Sequence, residues 1–396
     1  MKIIKEINDL KKELEKATNL YNIIKERNVL ATFTNDYYQY GTYGPRYINN
    51  KYPKFYNKLY TEYTSLTTSQ TKSINKINLG EYTNILNNDI DLNSHIWKSI
   101  GTSPSTCFNG IFDGQGYVIK NIKITFDSGN YPYYGFFGQL YNAEINNLIL
   151  NGTLRIYYTS SSHPNTIAGT FAGYSNNCKF NNCTSEFYIL YQRETTNNFK
   201  YIINLGGFVG EIENTELLDC VHNGNIDFIF GRNGNNSEYY NSSTNIYIGG
   251  IAGASRSSSF KYCGNKCDIF NITGAGSKNS DYLYATFAGI VAYLDGDTKI
   301  TSCYNNMENV QIISKSNQCG IEFGGIAGSA IYYSYEKGGI YNCYSSTNLL
   351  NVILPSRGTF NYGGICTRYN NSNSNKYVAN YSTKDFTISS LYNISL

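Results

Sequence analysis

Apolar residues in this chain recur as short blocks framed by glycine or alanine. Seven blocks read Gly135-Phe-Phe-Gly138, Gly169-Thr-Phe-Ala-Gly173, Gly206-Gly-Phe-Val-Gly210, Gly249-Gly-Ile-Ala-Gly253, Ala288-Gly-Ile-Val-Ala292, Gly324-Gly-Ile-Ala-Gly328 and Gly363-Gly-Ile-Cys366. Their starts lie 34 to 43 residues apart. After each of the first six come an apolar residue, two mostly polar positions and a small or apolar residue: Ile145-Asn-Asn-Leu148, Phe180-Asn-Asn-Cys183, Leu217-Leu-Asp-Cys220, Phe260-Lys-Tyr-Cys263, Ile300-Thr-Ser-Cys303 and Ile340-Tyr-Asn-Cys343. The chain closes on a variant, Val378-Ala-Asn-Tyr381. A third apolar stretch completes each unit, as in Phe187-Tyr-Ile-Leu190 and Val310-Gln-Ile-Ile313. The runs are short, rich in β-branched and aromatic residues, and bounded by Asn, Ser and Gly, a pattern that predicts strands.

Three short strands per unit, repeated with the chain sense unchanged, predict an all-β fold: a parallel β-helix solenoid with one coil per unit and about eight to nine coils over residues 77–396. Equivalent strands would pair about 4.8 Å apart, so nine coils would make a rod about 40 Å long. Glycines at the block edges are expected at sharp corners, where they reach positive φ without a Cβ penalty and let backbones approach. A propeller shares a period of about 40 residues. Its blades, however, need four antiparallel strands joined by hairpins.

Residues 1–30 follow another period. Ile3, Ile7, Leu10, Leu14, Ala17, Tyr21 and Ile24 alternate at spacings of four and three, with Lys and Glu filling most positions between. This heptad stripe predicts an N-terminal α-helix. Three heptads serve either as a coiled coil that makes a homo-oligomer, with a parallel trimer favoured, or as a cap on the end of the rod. Residues 31–76 form a Tyr-dense neck in which Pro45, Pro53, Gly41 and Gly44 break any long helix. A neck packed between subunits and an irregular wrap around one subunit fit it equally.

Composition narrows the function classes. The chain is 15% charged, with a net charge of +3, too small to point to nucleic acid. Tyr is unusually frequent, at 40 residues. The first residues, Met1-Lys-Ile-Ile-Lys-Glu-Ile-Asn-Asp-Leu10, are charged throughout and have no apolar core of a signal peptide. No apolar run is long enough for a membrane span. Without an export signal the ten cysteines are expected as thiols. Cys183, Cys220, Cys263, Cys303 and Cys343 fall at one repeat position and read as a ladder of small apolar side chains inside the rod, with inter-coil disulfides as the alternative.

The chain resembles a known family in Asp89-Ile-Asp-Leu92, Trp97 with Ile100-Gly101, and Phe108-Asn-Gly-Ile-Phe-Asp-Gly-Gln-Gly-Tyr-Val-Ile-Lys-Asn-Ile122, together with the later Gly-Gly-Ile-Ala-Gly and Ile-Tyr-Asn-Cys-Tyr blocks. These are similar to GLUG-motif repeat proteins, over about residues 79–384. The resemblance implies a right-handed parallel β-helix of the kind found in surface adhesins, in non-catalytic regions of secreted proteases and in viral or phage fibres. It names scaffold positions and carries over no catalytic residue.

Chemistry is sparse. There is no His-Glu-x-x-His and no Gly-x-Ser-x-Gly, and Gly276-Ser-Lys lacks the spacing of a phosphate-binding loop. Nothing calls for a cofactor or a metal. His95, His163 and His222 read as surface or corner residues. Glu211, Glu213, Glu216 and Asp219, with Asp295 and Asp297 two coils on, are the candidates for paired carboxylates of a polysaccharide-cleaving enzyme. The bland reading of that group is a solvated corner. Asp89, Asp91 and Asp113 are expected to bond turn backbones. Polar insertions of unequal length precede most of the later blocks in one phase, and insertions on one edge of a solenoid often bind. Arg193, Arg232, Tyr239, Tyr240, Lys278 and Arg357 would there meet a glycan or a host-surface protein. The favoured expectation is a non-enzymatic structural or attachment fibre, virion-borne or cell-associated, made in the cytoplasm. A polysaccharide-degrading β-helix enzyme and an intracellular scaffold are the alternatives.

Overall fold

The computed structural model describes residues 83–126, 132–158, 165–193, 202–230, 245–267, 269–274, 282–314, 318–331, 338–354, 357–369, 377–378, 380–382 and 391–392. The chain divides into two units, Met1–Ile85 and Leu86–Leu396. In the first, Thr83–Ile85 is a strand, and the heptad residues Ile3 to Ile24 lie outside the described residues.

In the second unit, five successive turns beginning at Asn165, Ile202, Asn245, Tyr282 and Gln318 follow one plan. The turn from Ile202 illustrates it. Ile202–Gly206 belongs to sheet I, Val209–Glu213 to sheet II, Glu216–Leu218 to sheet III, and Val221–His222 with Ile226–Phe230 to sheet IV. Every strand pairs in parallel and in register with its equivalents one turn before and one turn after: Leu205 faces Ala168 and Ile248, and Leu217 faces Phe180 and Phe260. No helix occurs among the described residues. The fold is therefore an all-β parallel solenoid, in which each turn closes its apolar face only against its neighbours.

Each turn contributes to four sheets, one more than the three strands that the sequence pattern predicts, and in the turns from Ile202 and Asn245 the sheet IV stretch is split into two strands. The glycine block is a bend with a strand on each side: Gly206 ends the sheet I strand, Gly207 and Phe208 turn, and Val209 opens sheet II. Two strands joined by a two-residue bend read as one apolar run. The interior is filled by apolar residues from all four sheets. Phe171 and Phe208 stack at 4.0 Å, with Phe180 edge-on to Phe208 at 5.5 Å, and all three are fully buried. At the entry, Trp97 is buried, stacks on Phe136 at 4.4 Å, and donates its indole N–H to the Phe136 carbonyl at 2.9 Å.

The glycines of the blocks meet one of the two needs expected of them. None of them has positive φ; among the described glycines that conformation belongs to Gly101, Gly116, Gly296 and Gly339. They allow close approach instead. A Cβ on Gly206 would strike the carbonyls of Val209 and Ile251, and one on Gly210 would strike the sheet I backbone at Ile167 and Ala168. The left-handed corners fall on either side of sheet III: Asn142, Asn177, Asn214 and Ser257 before it, and Asn147, Asn182, Asp219, Tyr262, Ser302 and Asn342 after it. Asn tolerates this conformation better than most residues. Its amides also join successive turns, Asn182 donating to Asn147 at 2.9 Å and Asn177 to Asn142 at 2.6 Å.

The last repeat is shifted by one residue from the sequence alignment. Ile340 pairs with Tyr377, and Tyr344 with Tyr381, so Asn380 and not Tyr381 follows Cys343. The Asn380 side chain accepts the Cys343 N–H at 2.8 Å and donates to the Ile340 carbonyl at 2.9 Å. An amide that bonds backbone here takes the place of an apolar side chain, which is why a pattern built on apolarity misplaces it.

Candidate functional site

Two ladders run through the interior beside the sheet III–sheet IV corner. The first holds the five registered cysteines. The residue after each of the last four donates its backbone N–H to the cysteine carbonyl one turn earlier, Val221 to Cys183, Gly264 to Cys220, Tyr304 to Cys263 and Tyr344 to Cys303, at 2.9 to 3.0 Å, and Thr184 after the first donates to the Leu148 carbonyl. All five side chains are buried as free thiols. Each sulfur lies near the carbonyl two residues before it, and most also near one from the previous turn, as Cys183 does with Asn181 at 3.3 Å and Ile145 at 3.4 Å. Burial pushes the Cys220 and Cys303 thiols well above the usual range, so these two hold no thiolate for redox or metal chemistry, while hydrogen bonds from neighbouring thiols act in the opposite direction on Cys263 and Cys343.

The second ladder was not anticipated. Two residues beyond each cysteine, sheet IV turns a polar side chain inward, and Ser185, His222, Asn265, Asn305 and Ser345 pair turn upon turn, all fully buried. Asn265 donates to Asn305 Oδ1 at 3.0 Å, and Asn305 donates to Thr347 Oγ1 at 3.0 Å. At the other end Thr170 donates to Ser185 Oγ at 2.7 Å, and His222 Nδ1 sits 3.1 Å from the same oxygen. The second glycine of each block is required first by the next turn's backbone, since a Cβ on Gly207, Gly250, Gly289 or Gly325 would come within 2.2 Å of the carbonyl of Gly250, Gly289, Gly325 or Gly364, and then by this polar spine. A Cβ on Gly207 would enter the His222 ring, one on Gly250 the Asn265 amide, one on Gly289 the Asn305 amide and one on Gly325 the Ser345 side chain. Beside Ser185 the block carries Thr170, whose hydroxyl bonds both Ser185 Oγ and the Gly207 carbonyl at 2.7 Å, whereas Ser345 keeps a glycine, Gly325.

His222 therefore corrects the expectation of a surface or corner residue. Its burial drives the imidazole pKa down to about 3, because the charged form has no solvent. Among the described residues, its Nε2 and the Asn265 Oδ1 have no hydrogen-bond partner. The signal was present in the sequence as a polar residue at each cysteine-plus-two position, in Cys-Thr-Ser185, Cys-Val-His222, Cys-Gly-Asn265, Cys-Tyr-Asn305 and Cys-Tyr-Ser345.

The carboxylates do not form one cluster. Glu211 and Glu213 lie on the outer face of sheet II, Glu216 on sheet III, and Asp219 at the next corner. Asp295 pairs with Arg256 at 3.4 Å. Asp297 is half-buried in the turn before sheet III. Glu211 is half-buried and accepts from Asn204 at 3.0 Å. Burial raises its pKa, against the Asn204 hydrogen bond and Arg256, while Glu213 raises it further. Glu213 is held by Tyr174 at 2.8 Å and Asn176 at 3.2 Å. Asp89, Asp91 and Asp113 accept backbone N–H groups from Val118, Asn93 and Gln115.

Of the proposed edge contacts, Arg193 ends the strand Thr184–Arg193 and Arg357 opens the strand Arg357–Gly363. Arg232, Tyr239, Tyr240 and Lys278 lie outside the described residues, as does His163. Among the described residues no group of His, Cys, Asp and Glu is arranged to hold a metal ion, and no helix is long and apolar enough to cross a membrane. Comparison with protein-family models, with curated proteins and with solved structures found no match.

Proposed function

We propose that the chain is a non-enzymatic structural or attachment fibre protein, a surface component of a virus or phage particle that spaces and presents a recognition surface for a glycan or host-surface receptor. The observation that carries this reading is the in-register stack of turns between Asn165 and Ile353, with its cysteine, polar and asparagine ladders. A solenoid lengthens by adding turns without changing its cross-section, a property suited to a spacer. It also repeats outward positions about every 4.8 Å, which suits a polymeric ligand. A right-handed hand, eight to nine coils and a trimer formed through Ile3, Ile7, Leu10, Leu14, Ala17, Tyr21 and Ile24 are parts of the same proposal; crossovers between parallel strands favour that hand. Mass spectrometry of purified particles should find the chain in stoichiometric amount, and sedimentation of the full chain should give a trimer. Absence from particles together with a monomeric chain refutes the reading.

One observation favours the enzymatic alternative: Glu211, whose pKa burial raises, lies on the same outer face as Glu213, and polysaccharide cleavage uses a raised carboxylic acid with a second carboxyl. New reducing or unsaturated ends on capsular or cell-wall glycans, lost in Glu211→Gln, would establish it. Their absence with the wild-type chain removes it.

A further inference from the structure

At the sheet III–sheet IV corner the outward side chains change character along the solenoid. The left-handed corner residue runs from Asn147, Asn182 and Asp219 to Tyr262, Ser302 and Asn342, and the first outward position of sheet IV runs from Thr184 and Val221 to Gly264, Tyr304 and Tyr344. Over these later turns the corner is basic and aromatic. Lys261 lies over the Tyr262 ring at 4.8 Å, Lys266 over Tyr304 at 5.7 Å, and Lys299 over Tyr341 at 5.4 Å. All three lysines are exposed, as are Tyr262 at 47% and Tyr344 at 45%.

Two of the rings have purpose-made seats. A Cβ on Gly264 would enter the Tyr304 ring, and one on Gly339 would enter the Tyr341 ring, so each tyrosine packs against a glycine of its own or the preceding turn. The Tyr341 hydroxyl is pinned by donation to the Gly338 carbonyl at 3.2 Å. Tyrosine has few side-chain torsions to fix, so these part-exposed rings and the exposed Tyr344 lose little entropy when a ligand packs against them. None of the three lysines is ion-paired among the described residues. A ring quadrupole orients an ammonium but does not neutralise it, so the positive field of the three is available to a partner.

We propose that this corner binds an acidic polysaccharide, with Tyr304, Tyr341 and Tyr344 stacking on sugar rings and Lys261, Lys266 and Lys299 meeting carboxylate or sulfate groups. The assignment rests on the attachment reading and moves its recognition surface from the edge insertions to strand-borne residues. Charge complementarity selects the partner, and the corner repeat favours a polymer over a single sugar.

The test measures binding of the full chain to polygalacturonate, dextran sulfate, neutral dextran and a single-stranded oligodeoxynucleotide, at two salt concentrations. The expected result is salt-sensitive binding to at least one acidic polysaccharide, with neutral dextran and the oligodeoxynucleotide weaker; the tighter of the two acidic polymers names the charged group. The variant K261Q/K266Q/K299Q should lose about tenfold, since exposed charges act mainly on attraction and rate, and Y304A/Y344A should lose a similar amount. Unchanged circular dichroism excludes unfolding as the cause. Equal binding by the lysine variant, equal binding of neutral dextran, or tighter binding of the oligodeoxynucleotide overturns the proposal. Host-cell attachment that survives in K261Q/K266Q/K299Q overturns this surface alone, whereas a wild-type chain that attaches to no host surface overturns the attachment reading with it.

Discussion

Replacing His222 by Asn should make the solenoid less sensitive to acid while leaving the spine in place. Asn already occupies the two following spine positions, Asn265 and Asn305, so the amide suits the space and faces a glycine there too. The folded imidazole has a pKa of about 3, against about 6.5 in an unfolded chain. Above pH 6.5 both states are neutral and the ring makes no pH-dependent contribution. As pH falls from 6.5 towards 3, the unfolded chain takes up a proton that the folded chain refuses, and the folded state loses stability; below 3 the loss is complete. The linkage relation gives a loss of about 2 kcal/mol at pH 5 and about 3 kcal/mol at pH 4. Glu211 acts in the opposite sense, because burial raises its folded pKa and protonation at lower pH then favours the folded state. It is common to both proteins and cancels in the difference. Urea unfolding of wild type and His222→Asn at pH 7, 5 and 4 measures the effect. The gap between the two free energies should move in favour of the variant by about those amounts. Parallel loss of stability in both proteins would falsify the buried, neutral imidazole.

Three further outcomes follow from the same interior. Gly207→Thr should be strongly destabilising because its Cβ would strike both the Gly250 carbonyl and the His222 ring, and the double variant Gly207→Thr/His222→Ser, which removes only the second clash, should recover about 1 kcal/mol, read as the coupling in a double-mutant cycle; additive effects would mean that the two side chains do not meet. A thiol reagent applied to the native chain should leave Cys183, Cys220, Cys263, Cys303 and Cys343 unmodified and label them after denaturation, as counted by mass spectrometry, since all five are buried; native labelling of Cys263 refutes the ladder. Ser302 holds a left-handed conformation with φ of 53°, so Ser302→Asn should raise the unfolding free energy measured in urea by about 1 kcal/mol or less, whereas Ser302→Val should lower it.

The repeat period and the common position of five cysteines were legible because both are set by one dominant interaction, apolar burial in a stack. What the sequence concealed is polar or steric. The fourth strand is hidden inside the glycine block, where a two-residue bend leaves no polar break in the pattern. The block glycines resemble turn glycines in the sequence, yet they answer to the next turn's backbone and also to a side chain across the coil: Gly250 to Asn265 and Gly289 to Asn305. Such pairs are 15 and 16 residues apart, so neither member announces the other without the fold. The true left-handed corners were written as Asn, a residue so frequent here that its registered copies did not stand out. The polar spine was visible at cysteine-plus-two but contradicts the expectation that a rod interior is apolar. Its burial is acceptable because most members bond along the axis to the next turn. For the edge residues and the heptads, position in the sequence was the whole argument, and the recognition surface proposed from the structure lies elsewhere, on Tyr304, Tyr341 and the lysines above them.

The central claim is that equivalent residues of successive repeats stack in line, one strand spacing apart. Outward sheet III positions Ile111, Glu144, Lys179, Glu216, Ser259 and Lys299 form one such line. Spin labels placed pairwise at Lys299 with Lys179, Glu144 or Ile111, read by pulsed electron resonance, should give separations that grow linearly, about 14, 19 and 24 Å before allowance for the label arms. Distances that level off or fall as repeats are added, as blades arranged around a ring would give, contradict the solenoid.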